Sequence, residues 1–176
     1  MLLYRRLRYG YTFRLIRLAQ PRYTKVDAGD YDRLRADEWY ARKRKNTFYV
    51  FRCVAGKGKK ESLIYIHQEI IRVPKGMVVD HINYDGADNR RANLRAATRS
   101  QNQYHVKKRP GTKHSKYKGL YWTKNNRKWQ VRITVDKKRL CLGYFLNEID
   151  AARAYDRAAC KYHGEFACLN FPQSAM

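Results

Sequence analysis

Across residues 128–162 the spacing of apolar residues changes from two to between three and four, and few small folds accommodate that switch. Trp129, Val131, Ile133 and Val135 alternate with Gln130, Arg132 and Thr134, the period of a strand with one buried and one open face. Asp136-Lys137-Lys138 turns the chain, and Leu140, Leu142 and Tyr144 resume the alternation. Upstream, residues 117–122 read as a third strand, followed by a turn at Asn125-Asn126. Asn147, with Asp150 three residues on, then opens a helix whose apolar stripe is Ile149, Ala152, Tyr155, Ala159 and Tyr162. Gly164 ends it. Three antiparallel strands backed by one alanine-rich helix make a small α+β domain, and its polar sheet face stays open.

That face belongs to a chain of unusual charge. Lys and Arg number 39 against 15 acidic residues, a formal net charge of +24 over 176 residues. A small soluble domain ordinarily carries a net charge of about 2–8 in magnitude. Self-repulsion on this scale is relieved by a polyanion. Residues 106–142 alone hold thirteen Lys and Arg and one acid, Asp136, and fifteen tyrosines interleave the basic residues of the whole chain. Nucleic acid fits this combination better than an anionic membrane or an acidic protein. No apolar run approaches the roughly 20 residues that span a bilayer, so no membrane is expected. Cys53, Cys141, Cys160 and Cys168 lie far apart with no C-x-x-C pair, which argues against a zinc ribbon and a disulfide framework and suits reduced thiols. The first eighteen residues are Arg-rich and free of acid. They read as a basic extension over residues 1–12 leading into a strand; an organellar targeting peptide is the other reading of that composition.

Residues 13–26 suggest a strand and a turn, broken at Pro21. Asp27, Asp30, Asp32, Asp37 and Glu38 follow, a third of all the acids, on a short helix anchored by Leu34 and Trp39 with Asp30 as N-cap. These carboxylates read as a solvated helix face rather than a metal site. Residues 48–54 and 62–66 have strand composition around a Gly-Lys-Gly-Lys-Lys turn, a hairpin, and residues 67–73 suggest a short helix. Val78 and Val79 lead into Asp80-His81 as a short strand, residues 83–88 form a turn, and from Arg91 the positions of Leu94 and Ala97 imply a helix running on toward Asn102.

Residues 78–102 concentrate chemistry: an adjacent Asp80-His81 pair, a Gly/Asp/Asn-rich turn, and Asn93 and Asn102 downstream. Hydrolysis of a phosphodiester needs an activated water and a cation against the developing charge. Histidine suits the base because its unperturbed pKa of about 6.5 leaves it largely neutral at pH 7, and neighbouring positive charge would push that pKa lower. A hard dication such as Mg²⁺ is content with one carboxylate, one amide oxygen and several waters, which Asp80 and Asn102 would supply. Asn93 suits a loop-pinning or capping role. Asp85, Asp88 and Asn89 read as turn formers rather than ligands, and His67 and His105 as structural, with contact to phosphate or the site as the other reading.

The run V-D-H-I-N, then D-N-R-x-x-N-L-R, then T-R-S-Q-N-Q, resembles the HNH endonucleases of phage and intron homing enzymes. That resemblance implies a ββα-metal core over residues 13–105, with His81 as general base, Asp80 and Asn102 as metal ligands and Asn93 bracing the loop. It further implies Mg²⁺ as cofactor with Mn²⁺ as substitute, and a bacterial or phage-infected cytoplasm as compartment. The C-terminal motifs Y-K-G-L, W-Q-V-R-I, L-G-Y-F, E-I-D-A-A-R-A-Y-D-R-A-A and L-N-F-P resemble the AP2 DNA-binding domain over residues 116–173, after a linker at 106–115. That family lays its sheet in the major groove, which makes Lys118, Trp122, Lys124, Arg127, Arg132, Thr134 and Arg139 the candidate DNA contacts. Tyr121 and Thr123 stand where plant members usually carry Arg, and Cys141 stands near a usual Trp, so the plant base preference is not carried over.

The resulting expectation is a monomeric, metal-dependent endonuclease that nicks double-stranded DNA without an obligate protein partner. A DNA-binding regulator with an inactive HNH domain, or a basic RNA-binding protein, are the competing classes.

Overall fold

In the computed structural model, Arg6, Arg8, Gly10 and residues 12–44, 47–55, 61–108, 111 and 115–172 are described, and the chain divides into two compact units, Met1–Ala97 and Thr98–Met176. The basic extension and the Gly-Lys-Gly-Lys-Lys turn fall largely or wholly outside the described residues.

In the first unit, β1 (Arg14–Arg17) and β2 (Tyr23–Val26) form an antiparallel hairpin around Pro21, followed by α1 (Ala28–Leu34). The expected hairpin is present as β4 (Thr47–Ala55) and β5 (Glu61–Tyr65), and β3 (Tyr40–Arg44) adds a third strand to give the order β3-β4-β5. Next come α2 (Ile66–Ile70) and a second hairpin, β6 (Val78–His81) with β7 (Leu94–Ala97). Ile16, Val26, Leu34, Trp39, Val50, Ile66 and Leu94 pack into one core. Trp39 has no accessible surface, and its indole N–H donates to the Leu34 carbonyl at 2.7 Å. A buried indole needs that partner, since an unmatched polar atom costs roughly 1–3 kcal/mol.

The structure departs from the sequence expectation at two places. Leu94 and Ala97 lie on a strand, after a single 3₁₀ turn at Arg91–Asn93, rather than on a helix. Pairing decides it: Val78, Val79, Asp80 and His81 face Ala97, Ala96, Arg95 and Leu94 across the hairpin, and four residues cannot distinguish a period of two from one of 3.6. The acidic segment is only in part a solvated face: Asp32 and Glu38 are exposed, but Asp30 is buried. Asp27, not Asp30, occupies the N-cap position, and it makes no side-chain cap. Asp30 is 5% exposed and receives Arg91 Nε and Nη2, both at 2.8 Å, while Asp27 accepts the Arg91 backbone N–H at 2.7 Å.

The second unit opens with α3 (Arg99–Tyr104), which starts at a reciprocal cap between Thr98 and Gln101. Strands β8 (Leu120–Thr123), β9 (Lys128–Val135) and β10 (Lys138–Phe145) make an antiparallel sheet with β9 in the centre. Asp136 and Lys137 both take positive φ, 47° and 66°, which suits a two-residue hairpin turn. Helix α4 (Glu148–His163) begins at Asn147, whose Oδ1 accepts the N–H groups of Ile149 and Asp150 at 2.7 and 3.3 Å. It presses Ala151, Ala152, Tyr155 and Ala159 onto Leu120, Val131 and Ile133. The stripe is narrower than expected, since Ile149 and Tyr162 are exposed.

The tight seam comes from small residues. Gly119 has φ +83°, and a Cβ there would overlap the ring of Tyr155. Gly119→Ala is expected to destabilise the protein by about 2–4 kcal/mol, the sum of left-handed strain and overpacking. Chemical denaturation of both chains measures the difference.

Candidate active site and nucleic-acid face

Asp80 and His81 are consecutive on β6, so their side chains leave the hairpin in opposite directions. Both are buried, at 6% and 4% exposure. Asp80 Oδ2 accepts from Nε of its cross-strand partner Arg95 at 2.9 Å. His81 enters an aromatic cage instead. Its ring lies 5.2 Å from that of His67 and 5.6 Å from that of Tyr49, both edge-on, and His67 is stacked on Tyr65 at 5.4 Å.

Burial pushes the pKa of His81 below the ordinary histidine value, against the pull of Asn89, Asp80, Asp85 and Asp88. The expected direction is therefore right and the expected cause is not: desolvation, rather than neighbouring cations, keeps the ring neutral. His67 is driven down to about 3 by burial and by the facing His81. Neither His67 Nδ1 nor His81 Nδ1 meets a hydrogen-bond partner among the described residues.

The loop after β6 is tied at many points. Asn93 Oδ1 accepts the Asn83 N–H at 2.9 Å, and Asn93 Nδ2 donates to the Asp88 carbonyl at 2.7 Å, so this side chain closes the loop as a clasp. Asp88 receives Arg90 through two guanidinium nitrogens at 2.7 and 2.6 Å and Asn83 Nδ2 at 2.9 Å. Burial works to raise the Asp88 pKa, but Arg90, Lys25 and Asn83 together hold it below the usual carboxylate value. Asp85 is exposed and makes local turn bonds to Ala87 and Asn83, as a turn former does. Gly86 donates to Thr47 Oγ1 at 2.8 Å, and a Cβ there would overlap the Phe48 carbonyl oxygen.

Asn89 is the residue that sequence reasoning missed. It is wholly buried, with Oδ1 3.1 Å from His81 Nε2 and Nδ2 donating to Thr24 Oγ1 and the Gly86 carbonyl at 2.9 and 3.2 Å. Nothing in its spacing separates it from an ordinary turn asparagine.

Asn102 stands on α3 of the second unit and is half-buried. Among the described residues, no group of three or more His, Cys, Asp or Glu side chains is placed to hold a metal ion. A hard dication would find oxygen donors of suitable chemistry in a carboxylate and an amide, with water completing its shell.

On the sheet of the second unit, Arg132 and Thr134 of β9 share a face with Arg139 and Cys141 of β10, their cross-strand partners, and all four are exposed. Lys124 and Arg127 are exposed in the β8–β9 turn. Trp122 is set apart from this group: it pairs in register with Trp129 on the helix-side face, ring to ring at 5.0 Å, while its outer edge stays exposed. Lys118 is also separate, its ammonium donating to the carbonyls of Tyr104 and Val106 at 2.6 and 2.7 Å, and burial lowers its pKa. Tyr121, absent from the candidates, is half exposed on the Arg132 face, with the guanidinium 5.3 Å from its ring centre.

A family model described as HNH endonuclease matches residues 72–104. An AP2/ERF and B3 domain-containing protein of Oryza sativa subsp. japonica is 46% identical over 61 residues, covering 35% of this chain and 16% of its own length. APETALA2-like protein 2 of Oryza sativa subsp. indica is 44% identical over 59 residues, 32% of this chain and 13% of its own. An ethylene-responsive transcription factor of Arabidopsis thaliana is 42% identical over 66 residues, 36% of each chain. The chain thus spans under a fifth of the first two relatives. The polypeptide combines an HNH segment with an AP2-like domain.

His67 makes the fold sensitive to acid. Its folded pKa of about 3 lies below the ordinary 6.5, so the unfolded chain binds a proton that the folded chain refuses. Stability from this group is complete above pH 6.5 and falls as pH drops toward 3. Between pH 7 and 5 the loss is about 2 kcal/mol. His67→Phe is expected to shallow that dependence by this amount in urea titrations at the two pH values, the His81 contribution remaining.

Proposed function

We propose that the chain is a metal-dependent DNA endonuclease with an HNH module over residues 13–105, a linker at 106–115 and an AP2-like module at 116–173 that docks on duplex DNA. The observation that carries the reading is His81: a buried, neutral imidazole, caged by aromatic rings, on a loop clasped by Asn93, within the segment that matches the HNH endonuclease family. In this reading His81 takes a proton from the attacking water, and Asn93 keeps the loop in shape. The HNH resemblance assigns Asp80 and Asn102 to a divalent cation, Mg²⁺ first and Mn²⁺ as substitute. When bound, that cation supplies charge stabilisation for the phosphodiester and its departing oxygen. To hold it, Asp80 would have to share or release Arg95, which it now binds.

Docking falls to the sheet. Arg132, Thr134 and Arg139 present donors on one exposed face, with Lys124 and Arg127 at its turn, a disposition suited to phosphates and base edges. Lys118 shapes the start of the module from within, and Trp122 offers its edge. The partner is double-stranded DNA, the acting species a monomer, and the compartment the cytoplasm of a bacterial or phage-infected cell. The Arg95 ion pair on Asp80 favours one second reading, a DNA-binding protein that no longer cuts.

Nicking of supercoiled plasmid with Mg²⁺ decides between them. The wild-type chain is expected to nick, and His81→Ala to slow nicking at least about 100-fold, the scale of a lost general base, with duplex binding unchanged. Undiminished cutting by His81→Ala overturns the assignment, and absence of nicking in the wild type leaves the binding protein. Arg139→Ala is expected to weaken duplex binding and to lower the slope of log affinity against log salt by about 0.9, one phosphate contact; mobility shifts at several salt concentrations measure it.

A further inference from the structure

An imidazole has two nitrogens, and a base must present the one that lacks a proton. We propose that Asn89 is a positioning residue: it holds neutral His81 with its proton on Nε2, so that Nδ1 is the nitrogen that accepts the proton of the attacking water. The role of the water rests on the endonuclease reading; the tautomer does not.

The donors and acceptors around Asn89 run in only one consistent direction. The Thr24 hydroxyl donates its single hydrogen to the Ala87 carbonyl at 2.8 Å, so toward Asn89 it can only accept. The Gly86 carbonyl can only accept as well. Both lie at one end of the Asn89 amide, at 2.9 and 3.2 Å, and that end must therefore be the NH₂. Rotating the amide by half a turn would set its carbonyl oxygen against the Gly86 oxygen with no hydrogen between them. The carbonyl end thus faces His81, 3.1 Å from Nε2. A carbonyl oxygen accepts and never donates, so Nε2 must carry hydrogen, and in a neutral ring Nδ1 then carries the lone pair.

The backbone leaves Asn89 little freedom to do otherwise. Its N–H donates to the Lys25 carbonyl at 2.8 Å, and the Lys25 N–H donates to the Ala87 carbonyl at 2.9 Å, so the loop is tied to β2 by one parallel bridge between Lys25 and Asp88. His81 Nδ1, on the opposite edge of the ring, is buried and meets no hydrogen-bond partner among the described residues. In the reaction, a proton passes from water to Nδ1 while the water oxygen bonds to phosphorus. The bond from phosphorus to the 3′ oxygen breaks, its electron pair leaves on that oxygen, and solvent protonates it. The imidazolium so formed still donates from Nε2 to Asn89 Oδ1, so the amide stays matched through the proton's arrival.

The test is made on the full chain without metal or DNA. Uniform ¹⁵N labelling of histidine and a long-range ¹H–¹⁵N correlation at pH 8 report which ring nitrogen is protonated; the His81 signals are those that vanish in His81→Ala. A protonated Nε2 and a bare Nδ1 are expected in the wild type, and a protonated Nδ1 with a bare Nε2 overturns the proposal without any variant needing to fold. Asn89→Ala is expected to admit the second tautomer and to slow single-turnover nicking about tenfold at unchanged duplex affinity. Asn89→Asp, which keeps an acceptor, should retain hydrogen on Nε2. A folded Asn89→Ala whose His81 pattern matches the wild type also overturns it. Loss of nicking in a wild-type chain with the expected tautomer counts against the endonuclease reading alone.

Discussion

The loop between β6 and β7 is fastened by polar groups that have no water to turn to. Thr24 and Asn89 have no accessible surface and Asp88 has 1%. An unmatched polar group at that depth costs roughly 1–3 kcal/mol, more where it is charged, so the joint is formed completely or not at all. Each member satisfies at least two others: Thr24 links Ala87 and Asn89, Asn89 links Thr24, Gly86 and His81, and Asp88 links Asn83 and Arg90. Apolar packing of the same volume would hold the loop equally firmly but would leave the imidazole free to choose its tautomer. Hydrogen-bond direction adds what packing cannot, a distinction between two nitrogens of equal size.

The same economy explains how a chain of net charge +24 uses its few acids. In the first unit Asp30, Asp37, Glu69, Asp80 and Asp88 each hold an arginine. Asp30 joins α1 to the turn before β7, and Glu69 with Asp37 brackets Arg52 of β4. Pairs as exposed as Arg35 with Asp32 contribute little. The buried ones offset desolvation rather than add net stability, and their value lies in fixing which segments meet. Placing the carboxylates inside also leaves the outer surface more cationic than the sequence-wide ratio implies.

Where the sequence carried a long period, the fold was legible. Trp129 to Val135, the turn at Asp136 and the alanines of α4 led directly to a three-stranded sheet with one helix, because eight- and sixteen-residue elements repeat their pattern often enough to be read. Leu94 to Ala97 failed for the opposite reason: four residues are set by the strand they pair with. Asp30 was read as solvated because its partner Arg91 lies 61 positions away. At the site, the Asp80-His81 pair and Asn93 stood out by residue type. Asn89 did not, since its importance lies in Thr24, which is 65 residues distant and had no reason to be noticed. His67 was visible as a histidine but not as a cage wall, a role created by the return of β4 and β5 past β6.

The open sheet face carries a consequence for recognition under the duplex-binding reading. Its middle is poor in charge: Gln130 lies beneath Tyr144 and Cys141, donating to the tyrosine oxygen at 2.9 Å, and Tyr121 covers the flank of Arg132. The other cations, Lys124, Arg127 and Arg139, stand at turns and strand ends. A cationic rim meets phosphates before it meets bases, and phosphate contacts set register and affinity without reading sequence. Arg132 is then the one central guanidinium among the candidates, with its plane steadied by the Tyr121 ring, in the position where a bidentate contact to guanine has the least freedom to slip. Selectivity of this sheet is accordingly concentrated on one side chain, while its grip is spread over many.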